Sequence, residues 1–249
     1  MSEPRAFFEG NGYLLAKGVY SAAEMRDLEE DFDRIVRQVE AGGNAHALAK
    51  GNVYTLNPHQ YSSRWMRALL QERFLGAAEE LIGPDIVLSH SSLVEKRKSE
   101  SRATIEMHQD WSYMPTRENT LVSGMIHVSS ATEEMGCLRV FPGSHKHGRI
   151  PESSRADPNF HERFPIETAT PVEAEPGDVT FFSYFVFHGS MPNRTEMPRK
   201  TVITRVLSGQ DEREGKIEYN ENIVLQGFNY HTNFESATKG VVKRKDRSK

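Results

Sequence analysis

A histidine and an aspartate separated by one residue, His108 and Asp110, are the first side chains in this sequence whose types and spacing could do chemistry. If the segment 107–111 is a strand, both side chains project to the same side, because alternate residues of a strand share a face. An imidazole nitrogen and a carboxylate oxygen presented together form half of a metal site. The His-x-Asp spacing is common, however, so the triplet alone favours a structural role.

A second histidine, His188, offers a third ligand at the end of the run 178–188, whose aromatic and β-branched residues predict a buried strand. Two histidines and one carboxylate occupy one face of an octahedral ion and leave the opposite positions open, as in non-haem Fe(II) oxygenases. Zinc fits less well, because it favours tetrahedral sites and a hydrolytic zinc site needs a general base that the sequence does not reveal. With Cys137 as the only cysteine, thiolate zinc clusters and internal disulfides are excluded.

Arg199 follows His188 by eleven residues, where the chain is predicted to leave a turn and enter a strand. A guanidinium there can pair with a carboxylate whose molecule also chelates the metal through a second carboxylate and a keto group, as 2-oxoglutarate requires. Arg194 and Arg205 are alternatives, and from the residues alone a surface charge is the simpler explanation of each arginine.

Two helices are predicted to precede most of the strands that carry these residues. Ser21–Glu24 has the spacing of a capping box, and apolar residues then recur at helical intervals. A second helix is predicted over 63–82, with Gly83 as its stop. From Ile86 onward, short β-like runs separated by Gly, Pro, Asn and Asp favour a β-sandwich or barrel over alternating βαβ units.

The chain is predicted to form one domain over residues 1–249. Residues 1–85 form a helical support, 86–208 a core of strands, and 209–249 a C-terminal segment with a basic tail. A solvated, frayed terminus explains this tail more simply than a nucleic-acid-binding arm does. The segment 148–176, rich in Pro, Asp, Glu and Arg, is interpreted as an insertion over one mouth of the sheets.

The composition is that of an ordinary globular protein. Of 249 residues, 37% are hydrophobic, and 31 Lys+Arg against 35 Asp+Glu leave a formal net charge of -4. This balance argues against disorder and against a basic nucleic-acid-binding surface. No apolar run approaches the roughly 20 residues that cross a bilayer, and the first residues lack a signal-peptide pattern. We therefore expect a cytoplasmic protein without membrane or nucleic-acid partners.

Four motifs, in their order and spacing, resemble the phytanoyl-CoA dioxygenase (PhyH) family of Fe(II)- and 2-oxoglutarate-dependent oxygenases. They are HQD at 108–110, EEMGCLRVFPGSHKHG at 133–148, PGD at 176–178 and HGSMPNRTEMPR at 188–199. The resemblance covers roughly residues 89–207, and the predicted helices are consistent with the family's opening pair. The segment from Gly209 matches nothing recognisable.

The resemblance implies a double-stranded β-helix, or jelly roll, flanked by helices. It implies that His108, Asp110 and His188 bind iron and form the catalytic centre. It also implies that Arg199 holds the distal carboxylate of 2-oxoglutarate and that Ser190 hydrogen-bonds the same cosubstrate. The expected cofactors are Fe(II), 2-oxoglutarate and O2, with the cosubstrate converted to succinate while a substrate C–H bond is oxidised.

Hydroxylation is the favoured outcome, because the related halogenases carry Gly or Ala where this chain has Asp110. Desaturation, epimerisation and cyclisation begin with the same hydrogen abstraction and stay open. The residues Gly143 and Ser144 fit the family's turn and are interpreted as structural.

Substrate contacts are assigned from position alone. Trp111 and Tyr113, just after the predicted metal strand, are candidate pocket walls, although packing explains Trp111 equally well. His127 lies on a predicted strand that can face the cavity, although a core histidine is the simpler explanation. Three basic residues near the metal strand are interpreted as solvated strand-end charges: Lys96, Arg97 and Arg102. No feature marks an adenine or pantetheine site, so a small metabolite or natural-product intermediate is favoured over an acyl-CoA.

A non-enzymatic jelly-roll protein that binds a metal or senses a ligand is the alternative class. A sensor has no need of a cosubstrate clamp, so Arg199 beside three candidate ligands argues for an enzyme. An oxygenase acting on alkylated nucleic acid would need a basic face and a stacking platform, which the net charge does not support. The sequence leaves the oligomeric state open.

Overall fold

A computed structural model describes residues 2–43, 52–99, 104–151, 158–214 and 221–231. The helices are α1 (Glu3–Asn11), α2 (Ala22–Ala41), α3 (Pro58–Tyr61), α4 (Ser63–Leu69), α5 (Glu72–Ile82) and α6 (Pro158–Arg163). The strands are β1 (Tyr13–Ala16), β2 (Asn52–Leu56), β3 (Ile86–Lys96), β4 (Ile105–His108), β5 (Val122–His127), β6 (Leu138–Val140), β7 (Thr170–Val172), β8 (Val179–Ser183), β9 (His188–Ser190), β10 (Arg199–Ser208) and β11 (Ile223–Gln226).

The strands form two antiparallel sheets that pack face to face. Within the described ranges the large sheet has seven strands in the order β1-β8-β5-β10-β3, with β2 and β11 both pairing with β3. The small sheet has the order β4-β9-β6-β7. Met125 and Phe182 of the large sheet pack against Leu138 and Val140 of the small sheet. The predicted mainly-β sandwich with flanking helices is confirmed.

Helix α2 begins at the predicted capping box. The Ser21 hydroxyl accepts a hydrogen bond from the Glu24 backbone N–H, and the Glu24 carboxylate accepts one from the Ser21 N–H, so two otherwise unpaired donors are satisfied. Buried Phe32 lies on the face of α2 that packs against the large sheet, in one apolar cluster with Phe74 of α5 and Phe181 of β8. This cluster fixes the helices on the outer face of the large sheet.

The single helix predicted over 63–82 is wrong, because the structure has α4 and α5 with a break at Leu70 and Gln71. The Gln71 side-chain oxygen accepts hydrogen bonds from the backbone N–H groups of Arg73 and Phe74, which starts a new helix. A glutamine in an apolar-periodic run gives little sequence signal of a cap, since glutamine is also a good helix former.

The single strand predicted over 178–188 is also wrong. The chain leaves the large sheet after Ser183, turns, and enters the small sheet at His188. Ser183 stabilises this turn: its carbonyl oxygen accepts from the Val186 N–H and its hydroxyl from the Phe185 N–H. The turn is as apolar as the strands, because it lies inside the sandwich, and its composition therefore hides it.

The segment 148–176 is not wholly an insertion, because β7 within it pairs with β6 and completes the small sheet. The ring of Phe160 in α6 packs edge-on against Phe187, with 4.9 Å between the ring centroids. Part of the segment therefore supports the turn that leads into His188. The predicted basic tail lies outside the described residues. No helix in the described part of the chain combines the length and apolar character of a membrane span.

Candidate metal centre

The two histidines lie opposite each other on adjacent strands of the small sheet. His108 ends β4 and pairs in register with His188, the first residue of β9. Asp110 lies between them: its Oδ1 is 3.3 Å from His108 Nε2 and 3.7 Å from His188 Nε2. All three side chains are buried, and their ligand atoms lie within 4.8 Å of one another. The structure thus brings together the three residues that the sequence singled out.

Asp110 reaches this position from a turn rather than from a strand. Strand β4 ends at His108, and Asp110 precedes a short 3-10 helix over Trp111–Tyr113. The Asp110 backbone N–H donates to the Tyr184 carbonyl oxygen at 2.9 Å. The expected strand alternation is therefore wrong at Asp110, and a turn tied to the Tyr184 backbone returns its carboxylate to the side of His108.

Backbone carbonyls set the tautomer of both histidines. His108 Nδ1 lies 2.8 Å from the Glu106 carbonyl oxygen, and His188 Nδ1 lies 3.0 Å from that of Val186. A carbonyl oxygen only accepts, so each Nδ1 carries a proton, and each Nε2 is the nitrogen that faces Asp110. A metal that binds both histidines requires each Nε2 to be free of its proton.

The charge environment keeps Asp110 ionised. Burial alone would raise its pKa, but nearby His188, a hydrogen bond from His108 and the Arg205 guanidinium together hold the pKa of Asp110 well below its usual range. Arg205 Nε lies 3.9 Å from Asp110 Oδ2. The carboxylate is therefore available as an anionic ligand near neutral pH.

The donor set fits a divalent transition metal. Two atoms bound at about 2.1 Å and at right angles on one ion lie about 3 Å apart, close to the separations between Asp110 and the two histidines. Two neutral imidazoles and one carboxylate match the facial arrangement of non-haem Fe(II) sites. Among the described residues, no other group of His, Cys, Asp and Glu has this geometry.

Two buried cations line the interior beyond Ser190, which lies two residues from His188. Lys96 of β3 and Arg199 of β10 are paired in register, and their exposed fractions are 0% and 3%. Lys96 Nζ donates to Ser190 Oγ at 2.6 Å and to the Met191 carbonyl oxygen at 2.5 Å. Arg199 donates to the Gly136 carbonyl oxygen, while its Nε is buried without a hydrogen-bond partner among the described residues.

Burial disfavours the protonated form of both side chains. Burial and, to a smaller extent, the charge of Arg199 lower the pKa of Lys96 to about 6, and burial lowers the pKa of Arg199 to about 10. In the described part of the chain, both donate to hydroxyl and carbonyl oxygens rather than to a carboxylate. Buried charges are costly without a counter-charge, so this end of the interior suits an anionic ligand.

Comparison with known proteins gives the family. The model of the phytanoyl-CoA dioxygenase (PhyH) family matches residues 8–201, most of the chain. The chain belongs to the PhyH family. Human peroxisomal phytanoyl-CoA dioxygenase is 26% identical over 226 residues, which cover 80% of this chain and 66% of the relative. The chain thus spans slightly less than two thirds of that relative's length.

Two further proteins show the range of the PhyH fold. A probable alpha-ketoglutarate-dependent hypophosphite dioxygenase of Stutzerimonas stutzeri is 23% identical, covering 81% of this chain and 77% of the relative. The epimerase SnoN, solved with Fe3+, alpha ketoglutarate and nogalamycin RO, superposes with a TM-score of 0.70 at 18% identity, over 92% of this chain and 95% of SnoN. The predicted jelly roll is confirmed, as is the family of iron- and 2-oxoglutarate-dependent oxygenases.

The cavity at the candidate metal centre of this PhyH protein has a volume of about 60 Å³. Its lining includes all three candidate ligands, Ser190, Arg199 and Arg205. Gly189 also lines it, and a Cβ there would lie 2.5 Å from the Ile105 carbonyl oxygen, so the glycine permits β9 to approach β4 beside His188.

The three residues suggested as substrate contacts do not line this cavity. Trp111 packs with the cluster around Tyr184 and lies beneath the Arg149 guanidinium, 5.5 Å from its ring centroid. Tyr113 is 57% exposed. His127 is buried, and its Nε2 lies 2.9 Å from Thr180 Oγ1. Their roles toward substrate stay predictions.

Sequence reasoning missed Lys96. The interpretation of Lys96 as a solvated strand-end charge is wrong, because its side chain is buried. The neighbouring half-buried Arg97 pairs with Glu40 and Glu95, as expected of such a charge. The missing signal is the register of β3 against β10, which places Lys96 opposite Arg199 and which no local pattern reveals. Arg102 lies outside the described residues.

Proposed function

We propose that this protein is an Fe(II)- and 2-oxoglutarate-dependent dioxygenase that hydroxylates an unactivated C–H bond of a small metabolite or natural-product intermediate. The observation that carries the proposal is one interior with two features: a His-Asp-His cluster and, beyond it, a pair of buried cations without a protein counter-charge. A metal and an organic dianion would satisfy both.

The contacts suggest which residues bind the metal and which bind the cosubstrate. His108, Asp110 and His188 hold Fe(II) through two Nε2 atoms and a carboxylate oxygen. Arg199 and Lys96 receive the distal carboxylate of 2-oxoglutarate, and the Ser190 hydroxyl, which accepts from Lys96, turns its own proton toward the ligand. With O2, the bound iron and 2-oxoglutarate supply the oxidising chemistry, coupled to release of succinate and CO2.

The chain's residues then orient and protect this chemistry. Hydrogen bonds at Nδ1 keep both imidazoles directed at one point, and Arg205 acts with the two histidines to keep the pKa of Asp110 low. The apolar walls supplied by Val94, Met125 and Phe182 exclude water from the centre.

Hydroxylation is proposed over other outcomes because Asp110 leaves no ligand position for a halide. Epimerisation is the second candidate, since SnoN shares the fold and is an epimerase. A non-enzymatic metal-binding protein is disfavoured because Lys96 and Arg199 would then stay buried without an anion.

An anaerobic titration tests the proposal in two steps. Fe(II) followed by 2-oxoglutarate should produce the visible metal-to-ligand charge-transfer absorption of a chelated keto acid, and admission of oxygen should then yield succinate. Incubation with a metabolite extract, monitored by mass spectrometry, should reveal a compound that gains sixteen mass units. Absence of the charge-transfer absorption would reject the proposal, and a product of unchanged mass would favour epimerisation.

A further inference from the structure

A second cationic site lies on the other side of Asp110. Arg205 stands six residues after Arg199 on β10, on the same face and about 20 Å farther along the strand. Arg205 Nη1 donates to Ser92 Oγ at 2.8 Å, and its Nε lies 3.9 Å from Asp110 Oδ2. Among the described residues this buried Nε has no hydrogen-bond partner. The guanidinium is thus anchored at one end and faces the metal centre with the other.

Arg213 joins this site from the segment that follows β10. Its backbone forms a bridge with Thr116, in the loop after Asp110, and Thr116 Oγ1 lies 3.4 Å from the Tyr184 hydroxyl. Arg213 Nε and Nη2 are both buried, with no hydrogen-bond partner in the described ranges. Burial and the like charge of Arg205 lower the pKa of Arg213 to about 10, while Asp211 and Tyr184 act to raise it. The two arginines therefore border the two ends of the segment 110–116, Arg205 at Asp110 and Arg213 at Thr116.

The nearby carboxylates attract these arginines but accept no hydrogen bond from their orphaned atoms. Asp211 is occupied by five other donors, which are the hydroxyls of Thr116 and Thr120 and the backbone N–H groups of Glu118, Thr120 and Glu212. Asp110 is the proposed iron ligand. Arg149, by contrast, has a full ion pair with Glu214 at 2.9 Å. Buried donors without hydrogen-bond partners are costly. The described residues supply no acceptor for these arginine atoms, which a bound anion would provide.

We propose that Arg205 and Arg213 bind an oxyanionic group of the substrate, a carboxylate or a phosphoryl group. This inference rests on the proposed oxygenase function, since it names the substrate class of the same centre. Guanidinium groups pair with two oxygens of such anions, which would satisfy the orphaned Nε and Nη2 atoms together. Because Arg205 contacts Asp110, the oxidised carbon is expected within a few bonds of the anionic group.

Electrostatic support of Asp110 by Arg205 explains only part of the site. It accounts for one arginine near the metal ligand, but it gives no role to the buried Nε and Nη2 of Arg213. A site for an anion explains both arginines with one ligand.

The test measures binding rather than turnover. Protein loaded with Ni(II) and saturating 2-oxoglutarate, which occupies the Lys96 and Arg199 end, is titrated by calorimetry with methylphosphonate, inorganic phosphate and propionate. Propionamide is the neutral comparator. At least one anion should bind at least about tenfold more tightly than propionamide, and the tighter probe distinguishes a phosphoryl group from a carboxylate.

Three variants assign the binding to the arginines. Arg213→Gln and Arg205→Gln should each lower the affinity for the anion about tenfold or more, whereas Arg213→Lys should retain part of that affinity. Arg117→Gln is the matched control, because Arg117 follows Thr116, has a 65% exposed side chain and pairs with Glu212. This variant should bind the anions as the parent does. A metal-free titration separates anions held by the arginines from anions that ligate the metal.

Several outcomes would overturn the inference. They are equal binding of anions and propionamide, an Arg213→Gln variant that binds as Arg117→Gln does, or a fall in Tm of probe-free Arg213→Gln beyond that of the control, which would assign Arg213 a structural role. Failure of 2-oxoglutarate to chelate Fe(II) would instead reject the proposed function, while the metal-free anion titration would still report on the two arginines.

Discussion

The two faces of the large sheet are built from the same strands but have opposite character. Phe181 and Phe182 are neighbours on β8: Phe181 packs against Phe74 on the helical side, whereas Phe182 lies 4.8 Å from the His188 ring on the side of the small sheet. Lys200 points outward to Glu29 and Asp33 of α2, whereas Lys96 and Arg199 point inward without a carboxylate partner among the described residues.

This difference shows where stability and chemistry are separated. The outer face excludes water with apolar side chains and pairs its charges, as a stable core requires. The inner face holds histidines, cations and a carboxylate whose burial lowers stability unless ligands satisfy them. Substitutions on the two faces should therefore affect different measurements.

The largest effect is expected at the metal centre. His188→Ala removes one of three proposed ligands, so Fe(II) affinity should fall by at least about 100-fold, the upper range for altered second-shell residues, and turnover should be lost. His145→Ala is the control, because His145 contacts the Glu9 backbone carbonyl and lies outside the cluster. Metal titration checks both variants, and equal Fe(II) binding by the two would reject the assignment of His188.

A core substitution on the outer face should show the reverse pattern. Phe181→Ala should lower the free energy of unfolding by about 3–5 kcal/mol, because it leaves a cavity against Phe74. At temperatures where the variant is folded, its Fe(II) affinity should equal that of the parent. Phe182→Ala, one residue away, should lower the affinity for Fe(II) as well, because the Phe182 ring packs against His188. Denaturant melts with parallel Fe(II) titrations measure this contrast. An equal loss of Fe(II) affinity in the two variants would contradict the prediction.

The cosubstrate end is expected to respond next. Arg199→Gln removes a buried cation that the proposal pairs with 2-oxoglutarate, so affinity for the cosubstrate should fall by about 2–5 kcal/mol while Fe(II) still binds. Arg194→Gln provides the control, since Arg194 is exposed in the same turn. Equal 2-oxoglutarate affinity in the two variants, measured by anaerobic titration, would remove Arg199 from the site.

A smaller effect, a gain rather than a loss of stability, is expected when Lys96 is replaced. Lys96→Met replaces a buried amine, which its lowered pKa leaves largely unprotonated near pH 7 without ligand, by an apolar side chain of similar length. The variant should have a free energy of unfolding higher by about 1–4 kcal/mol in the absence of ligand and should bind 2-oxoglutarate more weakly. Lys200→Met should instead lower stability, because the ammonium group pairs with two carboxylates. A loss of stability in Lys96→Met would contradict the view that Lys96 is held at a cost.

The same lysine gives a pH signature. Because the pKa of Lys96 is about 6 in the folded chain and has its ordinary value of 10.5 in the unfolded chain, the unfolded chain binds one more proton between these values. Stability from this group therefore rises with pH across that window, at up to about 1.4 kcal/mol per pH unit. Denaturant melts between pH 6.5 and 9 should show a shallower pH slope in Lys96→Met than in the parent.

Much of the site could be predicted from local sequence. The candidate ligands and Arg199 stand in motifs of fixed spacing, and the capping box that starts α2 is satisfied within four residues. Features that depend on pairing between distant segments could not. Lys96, the partnership of Arg205 with Asp110 and the orphaned atoms of Arg213 arise from strand register and from the loop beside Thr116.

The sequence by itself determined the chemical types present, the order of helices before strands and the family of this protein. Only the tertiary structure decided that β8 ends before His188 and that Asp110 leaves the strand. It also decided that the basic side chains of Lys96, Arg199 and Arg205 face inward without a hydrogen bond to a carboxylate. The reason is that composition and spacing report on local backbone preference, whereas burial and charge neutralisation depend on which side chains distant strands bring together.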